Sequence, residues 1–257
     1  MTTASPDRPY DDPRYDDLAA ATVAARGVVA ERFPDARTAW LGGSVARGEA
    51  TAASDLDVTV LLDGPPAPFR DTVRWHGWLV ELFVHTDASL DHYRRADLQD
   101  RRQPTMSRLV GESVVLVDRD GSGARRRAEC LAEIGAGPSP LSDDDLRLAR
   151  YRVTAWVDDL RSAAPALRTA AATTAYGELL GLLLDVHRRW RGQGKGLARE
   201  VLALDAAQGT RWLERADAGL AAALAGDPGP LAGLADEVLD LAGGPLREGL
   251  RLAGEEG

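Results

Sequence analysis

Residues 41–62, LGGSVARGEATAASDLDVTVLL, set two carboxylates, Asp55 and Asp57, one residue apart at the mouth of an apolar, β-branched run. In an extended chain residues i and i+2 share a face. Both acids therefore project together, while Leu56, Val58 and Val60 face the other way. Two ionised carboxylates about 4 Å apart repel by roughly 4 kcal/mol at an effective dielectric of 20. A divalent cation turns that repulsion into binding. An all-oxygen donor set suits Mg²⁺, which keeps several waters and shares its shell with substrate phosphates. The pair points to a metal–nucleotide site.

The residues upstream fit the same chemistry. Gly42 and Gly43 let the backbone come close to a ligand. Ser44 stands near the N-cap of one or two expected helical turns over 44–49, whose free N–H groups favour an anion. Arg47 adds a permanent positive charge. A third acid is expected, and Glu81 in WLVELFVHT is the candidate. It shares a strand face with Leu79 and Phe83, where an unpaired acid is costly. An antiparallel neighbour of the 55–62 strand would bring it beside the aspartates, as metal ligand, as general base for an attacking hydroxyl, or as both. The plainer alternative is an ion pair with Arg70 or Arg74.

The elements that must hold these residues follow from periodicity and breakers. Apolar positions at helical spacing run over 15–33 and stop before Pro34. Residues 37–43 read as a short strand entering a glycine turn. Residues 55–62 read as a buried strand ended by DGPPAP, and 69–86 as a β-hairpin turning near His76-Gly77. A polar helix over 89–101, a short helix over 104–110, a strand at 113–118 and a helix over 121–134 complete the first part. The Gly/Pro/Ser break at 135–145, with Ser142 and Asp145 as a helix start, marks the expected boundary between domains 1–140 and 141–257. Beyond it the spacing predicts helices over 142–163, 166–190, 196–206, 209–224 and 230–253. Strands mixed with helices, then helices alone, give an α+β class: a mixed-sheet domain followed by an all-α helical bundle. Residues 1–14, rich in Pro, Asp and Thr, read as a disordered arm.

Gly43-Ser44, Arg47-Gly48 and Ser54-Asp55-Leu56-Asp57 together resemble the motif of the DNA-polymerase-β-like nucleotidyltransferase superfamily. More narrowly the chain is similar to aminoglycoside nucleotidyltransferase-type enzymes with a helical C-terminal domain. The likeness is specific over 41–62, looser through the hairpin, and one of layout only beyond 141. It implies two Mg²⁺ ions, ATP or another NTP as donor, and in-line attack on the α-phosphorus. It also implies roles: Asp55, Asp57 and Glu81 at the metals, Gly43, Ser44 and Arg47 at the nucleotide, and Glu81 as base.

In the helical part, YGELLGLLLDVHRRWRGQGKGLARE (176–200) carries the candidates. Glu178, Leu182 and Asp185 fall on one helix face. The two acids are either ion-paired, for instance to Arg189, or open to a cleft that takes a cationic acceptor. His187 faces substrate or packing. Lys195, the only lysine against thirty arginines, follows a glycine-freed loop and suits a nucleotide phosphate. Asp158-Asp159 read as a solvated or ion-paired face.

A net charge of −9 argues against a nucleic-acid partner. The single cysteine, Cys130, excludes an internal disulfide and a Cys-rich zinc site. The polar N-terminus lacks a signal-peptide core, and LLGLLLDV is far short of a membrane span, so a cytoplasmic protein with no membrane partner is expected. The leading reading is transfer of a nucleoside monophosphate, AMP from ATP, to a hydroxyl of a small, aminoglycoside-like acceptor. The alternatives are a protein-modifying enzyme of toxin–antitoxin type and a non-catalytic nucleotide sensor. The oligomeric state is not readable from the sequence.

Overall fold

Five short segments rich in β-branched and aromatic residues pair into one mixed sheet. The computed structural model describes residues 17–51 and 53–251; the arm expected at 1–14 lies outside them. The chain divides into two units, Met1–Ala136 and Gly137–Gly257.

The first unit holds β1 (Thr38–Leu41), β2 (Leu56–Leu61), β3 (Phe69–Trp75), β4 (Trp78–His85) and β5 (Val114–Asp118). Their order is β3-β4-β2-β1-β5. β1 runs antiparallel to both β2 and β5. β3 and β4 form an antiparallel hairpin. β2 and β4 run parallel, with Asp57 registered against Glu81. This corrects the expectation that an antiparallel neighbour brings Glu81 to the aspartates. The hairpin docks through its second strand, whose direction matches that of β2.

Strand alternation sorts the side chains into two layers. Ala39, Leu41, Leu56, Val58, Val60, Val80, Leu82 and Val84 pack with Ala21, Ala25, Val28 and Val29 of α1 (Leu18–Arg32). The opposite face sets Trp40 and Leu61 against three further helices. These are α3 (Asp87–Ala96), α4 (Thr105–Gly111) and α5 (Ser122–Ala136), which follow the four-residue α2 (Gly43–Ala46). A π-helical turn, Asp97–Arg101, extends α3. Asp57 and Glu81 lie on this second face, at the positions alternate to the apolar ones.

Local chemistry fixes the ends. Asp17 caps α1 by accepting from Ala19 N and Ala20 N at 2.9 and 3.1 Å. His76 and Gly77 both take positive φ, 46° and 87°, as a type I′ hairpin turn requires. Trp75, just before that turn, presses on α1. A Cβ on Gly27 would stand 2.2 Å from its ring, and its indole N–H donates to Glu31 Oε2 at 3.0 Å.

The second unit is all helical: α6 (Asp143–Ser162), α7 (Arg168–Val186), α8 (Lys195–Gln208), α9 (Trp212–Ala225) and α10 (Gly229–Leu241). Val153, Val157, Leu179, Leu183, Val201, Leu204, Ala216 and Val238 belong to one buried core. Each fully buried Val or Leu contributes about 1.5–3 kcal/mol. Ser142 caps α6 through Asp145 N at 3.1 Å. Asp205, near the end of α8, starts α9 by accepting from Trp212 N at 2.8 Å and Leu213 N at 3.0 Å. The last helix ends at Leu241, not at 253 as its apolar spacing suggested. Gly243 and Gly244 take φ of 100° and 86°, and the chain turns back onto α6. There Arg150 donates to both their carbonyls, and Leu246 N donates to Thr154 Oγ1 at 3.0 Å. Among the described residues no helix is long and apolar enough to cross a membrane.

Candidate active site

The glycine turn after β1 is built around Asp57. Gly42 N donates to the Asp57 carbonyl at 2.8 Å, which seats the turn on the start of β2. A Cβ on Gly43 would lie 1.8 Å from Asp57 Oδ2, and Gly43 has φ of +70°. Both facts exclude any side chain there. Gly42 is equally constrained from the other side, since its Cβ would meet the Leu109 carbonyl of α4 at 2.4 Å. The expected helical run over 44–49 is shorter than read: α2 ends at Ala46, and its N-cap is Gly42 rather than Ser44.

Ser44 is held by Ser54, with their hydroxyls 3.0 Å apart, and Ser54 Oγ also accepts from Thr51 N at 2.8 Å. Ser54 thus ties the glycine turn to the loop that delivers Asp55. Arg47 bonds Glu49 at 3.0 Å and lies 3.5 Å from Glu112, which follows α4 and also receives Arg108. Sequence reasoning missed Glu112. Its only signal was that an arginine at the site needs a nearby acid to hold its side chain still.

The acids couple electrostatically. Burial pushes the Asp57 carboxyl up to about 7, and repulsion from Asp55 and Glu81 adds to it, against the pull of Arg47 and Arg70. Asp55 is raised too, by burial first and by Glu81, while its own backbone N–H and Arg70 oppose the shift. Glu81 is engaged by Arg70 of β3: Arg70 Nε donates to Glu81 Oε1 at 2.9 Å, and a second guanidinium nitrogen reaches the same oxygen. Glu81 thus stands in register with Asp57 and carries the ion pair that was the plainer expectation for it, with Arg70 rather than Arg74 as partner. Among the described residues no three His, Cys, Asp or Glu side chains enclose a metal ion as they stand. The donor set nonetheless fits a hard divalent cation: two carboxylates with raised proton affinity, a third registered beside them, and a side-chain-free turn against Asp57.

Glu178, Asp185 and His187 have partners within the second unit. Glu178 pairs with Arg152, and Asp185, fully buried in its side chain, pairs with Arg191. The partner is Arg191 rather than Arg189, because Arg188 takes a left-handed conformation after α7 and carries the chain back. His187 Nδ1 lies 3.1 Å from Gln208 Nε2. Lys195 is exposed at the first position of α8. Asp158 binds Arg247 at 2.8 and 2.9 Å.

No similar sequence is found among curated proteins. Among solved structures, a nucleotidyltransferase-like protein from Exiguobacterium sibiricum 255-15 is 14% identical, with 86% of this chain and 77% of that one covered at a TM-score of 0.42. Residues 24–100, which hold the glycine turn, Asp55, Asp57, Arg70 and Glu81, match the family model of the nucleotidyltransferase domain, and nucleotidyl transfer is the reaction class this match supports for the first unit.

Proposed function

We propose that the first unit is an Mg²⁺-dependent nucleotidyltransferase that moves AMP from ATP to a hydroxyl of a small acceptor, with an aminoglycoside-like polyol as the acceptor class to try first. The observation that carries this reading is the registry of Glu81 with Asp57 across a parallel strand pair, beside a turn whose glycine can bear no side chain. Asp55, Asp57 and Glu81 would hold the divalent ions, which when bound offset charge on the attacking and leaving oxygens. Ser44 and Arg47 hold phosphate oxygens and fix the α-phosphorus in line with the acceptor. Glu81 takes the proton from the acceptor hydroxyl. That oxygen bonds to the α-phosphorus, the bond to the α–β bridging oxygen breaks, and pyrophosphate leaves.

The test is incubation of the purified protein with labelled ATP, Mg²⁺ and a panel of hydroxyl acceptors. The expected result is a nucleotidylated acceptor with equimolar pyrophosphate. Label recovered on protein would favour the protein-modifying alternative. ATP binding without pyrophosphate release would favour a sensor and overturn the proposal.

A further inference from the structure

The edge strand β3 presents Arg70, Thr72 and Arg74 as exposed residues, registered opposite Phe83, Glu81 and Leu79. Of these, Arg70 does something specific. Its guanidinium sits 5.0 Å from the Phe83 ring centroid and bonds diagonally to Glu81, with both contacts converging on Oε1. The ring contact and the forked bond together fix a side chain that is 64% exposed onto one that is 17% exposed. The asymmetry matters. Water can receive the guanidinium at little cost, whereas Glu81 left without a cation would be a partly buried, unmatched charge.

We infer that Arg70 is the resident counter-cation of Glu81, holding that carboxylate in the metal-free protein and yielding it when a divalent ion arrives. The inference rests on the metal reading of the Asp55–Asp57–Glu81 group. Arg70 and the incoming ion compete for one oxygen donor, and their positive charges repel. Arg70 is therefore a positioning residue that sets how tightly the site takes metal. It keeps Glu81 from collapsing elsewhere, and it raises the ion concentration needed to load the site. Arg47, the other cation near these acids, is bonded to Glu49 and Glu112 and acts on Asp57, whereas the direct bonds to Glu81 come from Arg70.

Mn²⁺ titration by calorimetry, without nucleotide, tests this on the full chain and on the variants R70Q, R74Q, E81Q, R70Q/E81Q and D57A. R70Q is expected to bind Mn²⁺ about fivefold more tightly, the size of a released exposed ion pair. R74Q removes the same charge from the same strand and should shift affinity by less than about twofold. In the E81Q background the Arg70 substitution should shift affinity by less than about twofold, the long-range pull on Asp55 and Asp57 that remains once the competition through Glu81 is gone. Unchanged or weaker binding by R70Q overturns the inference. So does an equal gain in R74Q or in the E81Q background, since either would reduce Arg70 to a long-range charge. D57A reads the parent assignment separately. If it binds Mn²⁺ like the unsubstituted protein, the metal site itself is wrong. If it loses binding while R70Q matches the unsubstituted protein, only the role of Arg70 falls. Absence of Mn²⁺ binding in every form overturns both.

Discussion

The acids of the two units are handled in opposite ways. In the helical unit Asp205, Asp185 and Glu178 each have donors of their own. Asp205 takes two backbone N–H groups and the Thr210 hydroxyl, Asp185 takes Arg191, and Glu178 takes Arg152. In the first unit, Asp55, Asp57 and Glu81 are brought together and repel one another, and only Glu81 carries a direct ion pair. The signs of the resulting shifts differ accordingly. At Asp205 burial opposes ionisation, but the hydrogen bonds from Thr210, Leu213 and Trp212 outweigh it and the carboxyl is lowered. At Asp57 burial and repulsion act in the same direction. A matched carboxylate stabilises its fold. A mismatched cluster costs stability.

The largest test of that contrast is Asp57→Ala. It should lower nucleotidyl transfer at least ~10³-fold, as loss of an electrostatic contribution of several kcal/mol implies, while leaving the circular dichroism spectrum intact. Pyrophosphate release near the unsubstituted rate would remove the distinction between the clusters. Next, Glu81→Gln should slow transfer ~10²-fold with nucleotide binding kept, the scale of a lost general base; single-turnover kinetics separate the two. In the second unit, Asp205→Ala should cost about 2 kcal/mol in urea unfolding, because two backbone donors at the start of α9 lose their acceptor. By contrast, Asp57→Asn should raise the stability of the metal-free protein by about 1 kcal/mol, since it removes a half-buried charge that Asp55 and Glu81 repel. A loss there as large as that of Asp205→Ala would mean that both acids are structural.

The smallest effect is on pH dependence. The folded Asp205 carboxyl titrates below its unfolded value of about 3.9. Its contribution to stability is therefore complete above that value and is lost as pH falls through the lower, folded one. Unfolding followed between pH 5 and 2 should show that decline in the unsubstituted protein and a shallower one in Asp205→Ala.

Much of this arrangement was legible in the sequence because short-range chemistry wrote it. The alternation of Leu79, Glu81 and Phe83 against Val80, Leu82 and Val84 located a half-buried strand, and His76-Gly77 located its turn. The Gly-Ser, Arg-Gly and Asp-Leu-Asp spacing located the candidate site. The direction of strand pairing was not legible from alternation, which is the same for either neighbour. A signal did exist: Arg70, Thr72 and Arg74 make β3 the polar strand of the hairpin, and polar charged strands belong at sheet edges. That places β4, not β3, against β2 and makes the pairing parallel. The end of α10 was misjudged because apolar spacing continues past Leu241, while the backbone breaks at Gly243-Gly244. The partner of Asp185 was missed because a helical i+4 rule fails once Arg188 leaves the helix.

The clamp between Trp75 and α1 bears on how quickly the first unit can respond to a ligand. With the indole seated over Gly27 and tethered to Glu31, the outer strand is pinned to α1 at its turn end. Any exchange of partners by Arg70 then happens by rotation about its own side-chain bonds, on a scale of about nanoseconds rather than the microseconds to milliseconds of a hinge. Ion uptake should accordingly follow a single kinetic phase whose rate grows in proportion to ion concentration, with no plateau set by a slow opening of the protein.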